Sequence, residues 1–370
     1  MYRLCLAALT FIVACSTSAA MAADNTTSYH VGETTRVFHP GVERNWRGAK
    51  TQALVTRIWY PVDRSVPEVA QDIGAPGDPL FRGHPFVEDA RLSPAHSKYP
   101  LILLSHGTGG SAASLDWLAA ALAANGYVVA GVNHPGNNEL EPLTQEGFVL
   151  WWERATDVSE VLDGILGDPT IAAHVDADRI GALGFSLGGY TVLELAGART
   201  RLPAFIAFCH SEAADAICHP PEMKRLKGGA PTPDSLPPEA KASMTRSGDS
   251  YRDARIKAVF AIAPALGEAF DSTSFATVDI PVSLLAGAAD VTAPVDTNIR
   301  RINALLPAAD VTLIPGATHY TFLDTCLPSA VERLPVVCKD NPGIDRDAVH
   351  AQTIEQVKGF FHKSLPAKTL

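Results

Sequence analysis

The feature that most constrains the fold is residues 179–190, RIGALGFSLGGY. Residues 180–185 read as a short buried strand, and Gly184-Phe185-Ser186-Leu187-Gly188 turns that strand directly into a helix. A serine on so tight a turn needs glycine on both flanks, because a Cβ there meets neighbouring backbone. The turn lifts the Ser186 hydroxyl clear of the sheet and leaves the first amides of the helix free to donate. Such a serine does chemistry only if other parts of the chain bring it a base, an acid to orient the base, donors for a negative oxygen, and a pocket.

The surrounding sequence supplies the matching rhythm. Apolar runs at 101–104, 127–132, 256–262, 282–286 and 311–314 alternate with helical patterns at 115–124, 152–166, 187–196 and 349–362. That alternation means an α/β fold with a mostly parallel sheet covered on both faces. Residues 51–60 alternate as a strand that Pro61 is expected to stop, with the preceding YHVGETTRVF as its candidate antiparallel hairpin partner. Residues 61–98 show no sustained period and read as a long surface connection or flap. Residues 209–255 are polar, proline-rich and broken by Gly-Gly, and lie where a lid or cap insertion would; a plain surface loop is the alternative. With 370 residues, 46% hydrophobic and 19% charged, the chain fits one large domain with insertions or two small ones. The formal net charge of −10 argues against nucleic acid as a partner.

Residues 1–22 have the form of a signal peptide: one Arg, an apolar run over 4–14, and Ala20-Met21-Ala22 as a cleavage pattern. Residues 23–370 are then the mature single domain, exported to the periplasm or beyond. Ile12-Val13-Ala14-Cys15 is a second reading, a lipobox that would leave a lipidated Cys15 as membrane anchor. Beyond the signal lie Cys209, Cys218, Cys326 and Cys338, and in an oxidising space the local pairs 209–218 and 326–338 are favoured. Zinc at the two Cys-His pairs is the weaker reading, since their spacing exceeds that of structural zinc sites.

In an open α/β sheet the reacting groups sit at the carboxyl ends of strands. That filter selects Ser186 as nucleophile, Asp290 after the strand at 282–286, and His319 after the strand at 311–314, in that chain order. Asp296 falls where a helix start accounts for it better. His106 competes as base but stands immediately before a glycine-rich turn, which it is expected to brace, and His134 is given a structural role. Gly107-Thr108-Gly109-Gly110-Ser111-Ala112 formally matches a dinucleotide fingerprint, but it does not follow the first strand and no acidic ribose partner ends the next one. The reading preferred is an oxyanion hole made by the backbone N–H groups of Thr108 and Leu187, needing neither cofactor nor metal.

The set SHGTGG, NHPGNN, W-x-R-A-x-D (Trp152, Arg154, Asp157), GFSLGGY, AGAADVTAP and PGATHYTFLDTC resembles the α/β-hydrolase superfamily. Within it the chain is similar to an exported bacterial dienelactone-hydrolase-like group related to platelet-activating-factor acetylhydrolases. The resemblance runs from about residue 31 onward and implies an eight-stranded, mostly parallel sheet. Dienelactone hydrolases use cysteine where this chain has Ser186, so that label says little about substrate. Trp151 and Phe185 are expected to line an acyl or alcohol pocket, Trp152 to pack its helix, and Tyr320 and Phe322 to shape the surroundings of His319. The expected activity is hydrolysis of small to medium carboxylic esters through an acyl-enzyme. Phospholipid or oxidised-lipid acyl hydrolysis, serine peptidase activity, and a turnover-free binding protein are the alternatives.

Overall fold

β7 (Tyr99–Ser105), β8 (Val128–Val132), β10 (Ile256–Ile262) and β11 (Val282–Gly287) are apolar but for Ser105, Lys257 and Ser283 because they are covered on both faces. The computed structural model describes residues 28–41, 44–232 and 234–367. The signal segment and Cys15 lie outside the described residues. The main sheet has ten strands, β12-β11-β10-β9-β7-β8-β2-β1-β6-β3. Its added members are β1 (His30–Phe38), β2 (Leu54–Val62), β3 (Val69–Ala70), β6 (Pro85–Glu88), β9 (Val175–Phe185) and β12 (Asp310–Ile314). From β8 to β12 every neighbouring pair is parallel, whereas β2 joins β8 and β1 in antiparallel register. The eight strands expected are therefore present, extended at one edge by β6 and β3.

Helices Asp116–Ala124 and Arg346–Ser364 pack together against the sheet, as do Glu153–Gly167 and Leu187–Ala196, which makes two covering layers. Pro61 does not stop β2. It lies past Trp59, the last residue of β2 paired with β8, and its carbonyl takes the Ser93 N–H instead. The stretch at 61–98 is also more ordered than its composition implied, holding β3, β6 and a separate hairpin of β4 (Ile73–Ala75) with β5 (Asp78–Phe81).

Residues 209–255 fold onto the body through two small apolar clusters, Leu236 and Ala240 against Leu150 and Trp152, and Leu226 against Leu143 and Phe148. The short helix Pro238–Met244 belongs to the first of these, where the Trp152 indole N–H donates to Ser243 Oγ at 3.0 Å. Cys209–Cys218 closes the start of this segment, and Cys326–Cys338 ties the loop after His319. Both pairs are the local ones, and with Cys209 and Cys218 bonded to each other the zinc reading loses its thiolates. Among the described residues no helix is long and apolar enough to cross a membrane.

Candidate active site

β7 has β8 on one side and β9 on the other, so the strand order reverses there, and a crevice opens beyond the carboxyl ends at such a switch point. Ser186 sits at the end of β9 with φ 56° and ψ −118°, a left-handed backbone that a side chain holds only when its surroundings fix it. They do: its N–H donates to Ile262 O at 2.9 Å, and its carbonyl accepts from Ala265 N at 3.1 Å and Tyr190 N at 3.2 Å.

The three residues selected by strand-end position meet. His319 Nε2 lies 2.9 Å from Ser186 Oγ, and His319 Nδ1 lies 2.7 Å from Asp290 Oδ2. Asp290 Oδ1 is occupied by the amides of Thr292 and Ala293, at 2.9 and 2.8 Å, so only Oδ2 faces the ring. All three are buried, and Asp296 instead pairs with Arg300 at the surface. Leu187 N opens the helix and so has no acceptor one turn back, while Thr108 comes from the turn after β7.

A cavity of about 530 Å³ opens over Ser186, within the range of small-molecule sites. Trp151, Phe185 and Tyr320 line it together with Thr108, Leu187 and His319. Phe322 is absent from the lining and turns into the core, where its carbonyl takes the Trp117 indole N–H. Sequence reasoning missed Phe205, on the helix Leu202–Cys209, which packs edge-on against Trp151 with ring centroids 5.0 Å apart. It also missed Ile73, Leu80 and Phe81 of the β4–β5 hairpin, and Ile217, Glu222, Met223 and Arg225 from 209–255. The apolar run LPAFIAFC was a usable signal for Phe205; the remainder arrive by long-range packing.

Two bonds connect 209–255 to the site. Arg225 Nη1 donates to Gly109 O at 3.1 Å, and Tyr320 OH donates to Glu222 Oε1 at 3.1 Å. Burial, then the Glu222 carboxylate, raises the Tyr320 phenol, which keeps it a donor. Burial, then Asp116, pushes the Asp324 carboxyl on the cavity wall well above its usual range. Among the described residues Glu33, His84 and Asp116 bring possible metal ligands within 4.8 Å of one another. Arg57 bonds Glu33 Oε1, and the Trp59 indole and His84 Nδ1 bond Asp116, whereas Glu33 Oε2 and His84 Nε2 are buried with no protein partner.

Behind the serine helix, Tyr190 OH and Thr200 Oγ1 both donate to Glu194 Oε1 at 2.7 Å. Burial raises the Glu194 pKa from 4.5 to about 8, so the folded state holds a proton there that the unfolded chain releases near 4.5. Stability from this proton is full below the unfolded pKa and is lost as pH rises toward the folded one. Glu194→Gln mimics the neutral acid. Urea titrations should show wild type losing on the order of 3 kcal/mol relative to the variant between pH 5.5 and 8.5. Parallel pH profiles for the two proteins would exclude the buried neutral acid.

Residues 101–330, more than half the chain, match the model of the alpha/beta hydrolase family. The chain belongs to the alpha/beta hydrolase family. The chain is 31% identical over 113 residues to a cutinase of Thermobifida alba, a match covering 30% of the chain and 34% of the cutinase. It is 30% identical over 93 residues to a lipase of Moraxella sp., covering 25% of the chain and 26% of the lipase. The chain thus spans about a third of the length of the curated relatives it matches first. A ferulic acid esterase from Streptomyces cinnamoneus shares the fold with a TM-score of 0.58 at 19% identity, over 95% of this chain and 94% of that one.

Proposed function

We propose that this chain is an exported serine hydrolase of carboxylic esters. The observation that carries the reading is the bonded series Ser186–His319–Asp290 on the floor of a largely apolar cavity. Ser186 Oγ attacks the ester carbonyl while His319 Nε2 takes its proton. The Thr108 and Leu187 amides hold the oxyanion. As the tetrahedral species collapses, the C–O bond to the alcohol breaks and His319 returns the proton to the leaving oxygen. Water, deprotonated by His319, then releases the acid and restores Ser186. Asp290 keeps Nδ1 protonated throughout, so that Nε2 is the nitrogen that takes and returns each proton. No step calls on a cofactor or metal.

Residues 209–255 act as a cap over this cavity, and the esters that fit are small to medium ones with an apolar part against Trp151, Phe185 and Phe205. Cutinase and lipase relatives, both named for ester substrates, support the class, and the two disulfides support export. The apolar cap residues Ile217 and Met223 favour a second reading, acyl hydrolysis of phospholipid or oxidised lipid, in keeping with the narrower acetylhydrolase-like resemblance. A fluorophosphonate should label one residue per chain, Ser186 by peptide mapping, and abolish hydrolysis of p-nitrophenyl esters. Retention of wild-type hydrolysis by Ser186→Ala would overturn the reading. A series of acyl lengths separates short-chain from lipid preference.

A further inference from the structure

Two sequence motifs, NHPGNN (residues 133–138) and W-x-R-A-x-D (residues 152–157), supply none of the reacting groups. Yet His134, Asn137, Arg154 and Asp157 are all buried. Burying an arginine and an aspartate costs several kcal/mol unless the geometry recovers it, so their placement calls for a purpose. That purpose is visible in what they hold, the turn at 106–112.

The bonding of this turn is nearly complete. His106 O accepts from Arg154 Nη2, and Gly107 O accepts from His106 Nδ1 at 2.6 Å. Gly109 N donates to Asn137 Oδ1 at 2.8 Å, and Gly109 O accepts from Arg225. Gly110 O accepts from Glu139 N at 2.9 Å, and Ala112 N donates to Asn133 Oδ1 at 2.9 Å. The Thr108 N–H stands outside this set of bonds, on a residue that lines the cavity.

The direction of that N–H follows from one of them. The Gly107–Thr108 peptide is trans and planar, so its C=O and N–H point in opposite directions. Whatever anchors the Gly107 carbonyl thereby aims the Thr108 N–H. Gly110 N–H shares that oxygen at 3.4 Å, and the close anchor is His106, at 2.6 Å. Its tautomer is settled by a second bond: Nε2 accepts from His134 N at 3.2 Å, which leaves the proton on Nδ1 to donate to Gly107 O. Burial, then Arg154, holds the His106 ring well below its ordinary pKa, so it stays in that neutral form. His134 is fixed in turn. Its Nδ1–H donates to Asp157 Oδ2 at 2.7 Å, and Ser105 Oγ lies 2.9 Å from its Nε2. Burial pushes the Asp157 carboxyl up, but Arg47 and Arg44 outweigh it and hold the carboxyl well below the usual range.

We infer that His106 is a positioning residue: through the Gly107 carbonyl it aims the Thr108 N–H at the oxyanion, while Arg154 and Asn137 clamp the peptides on either side. Asn137 is oriented at both ends, accepting from Gly109 N and donating from Nδ2 to Gly147 O at 2.9 Å. Its clamp fixes the Thr108–Gly109 peptide next in line, at a glycine with φ +61°. The inference rests on the ester-hydrolase reading, in which Thr108 supplies an oxyanion donor.

The two nitrogens of His106 can be replaced one at a time. In His106→Asn the amide reaches the Nδ1 position and restores the donor to Gly107 O. In His106→Gln it reaches the Nε2 position and restores only the partner of His134 N, although glutamine fills the space better. Rates on p-nitrophenyl butyrate are measured per active site, with sites counted by exhaustive fluorophosphonate labelling. His106→Gln should lose ~10²–10³ in kcat, the usual cost of one oxyanion donor, with KM within about twofold. His106→Asn should stay within about tenfold of wild type. A residue that merely fills the core would give the reverse order, and that order, or equal kcat values, overturns the inference. If neither variant is soluble, Asn137→Leu carries the test: kcat down about tenfold or more at unchanged KM supports it, and wild-type kcat overturns it. Ser186→Ala run alongside separates the failures. An inactive Ser186→Ala beside a fully active His106→Gln removes the positioning role alone, whereas an active Ser186→Ala removes the ester-hydrolase reading itself.

Discussion

Asp290→Asn is expected to lower kcat on p-nitrophenyl butyrate by about 10⁴ while leaving KM and Tm close to wild type. The size of the effect follows from where the bonds around Asp290 go. Oδ1 accepts two backbone amides, from Thr292 and Ala293, and Oδ2 accepts His319 Nδ1. An asparagine must keep its oxygen toward the two amides, since turning its NH₂ to them would set donor against donor at two sites. The NH₂ then faces His319 and offers it a proton. His319 can answer only by presenting Nδ1 as acceptor, which moves its own proton to Nε2. In that tautomer Nε2 cannot take the Ser186 proton. The fold is intact and the base faces the wrong way. Asp296→Asn is the control, since Asp296 is exposed and paired with Arg300; it should be indistinguishable from wild type. A fall of less than tenfold in Asp290→Asn would assign the orienting role elsewhere.

That pair of variants also tests what could be read from the chain alone. Asp290 and Asp296 were separable without coordinates because one follows an apolar strand and the other opens a helix. The same logic found His319 and the central strands, since a strand covered on both faces must be apolar along its length. It failed where pairing does not require apolar residues. β9 begins at Val175 rather than at residue 180, because Asp176, Asp178 and Arg179 interrupt the run. Its pairing with β7 shifts register at that point, between Pro100 and Leu101. The strands within 69–88 are two to four residues long and mostly exposed or half-buried, so backbone bonds hold them and no period marks them. The cavity wall was the least legible. Glu222, Met223 and Arg225 reach it because Leu226 and Leu236 dock onto 143–152, a contact between distant segments that no local pattern announces. The glycines of the elbow lie at the other extreme, legible because a local steric demand fixes them.

Gly188→Ala should therefore be the most damaging small substitution in the molecule: no soluble protein, or a Tm lower by roughly 8 °C or more. A Cβ at Gly188 would lie 1.9 Å from Ser105 O, 2.5 Å from Ser105 C and 2.8 Å from His106 O. These are backbone atoms at the end of β7, inside a sheet paired on both sides, and His106 O is bonded to Arg154, so none can swing aside as a side-chain tip would. Relief requires the helix Leu187–Ala196 to back away from the sheet, and overpacking in a tight core costs about 1–3 kcal/mol even where side chains can adjust. Moving that helix also moves the Leu187 amide, so whatever fraction folds should lose ester hydrolysis as well. Gly359→Ala makes the same chemical change where a Cβ meets nothing within 4 Å, on an exposed turn of the helix Arg346–Ser364. There the loss of backbone freedom in the unfolded chain dominates, and the variant should gain about 0.5–1 kcal/mol with full activity. Thermal melts of the two proteins side by side decide the matter. A Gly188→Ala protein that melts with wild type would mean that the serine turn does not press on β7, and the steric reason for glycine at that position would fall with it.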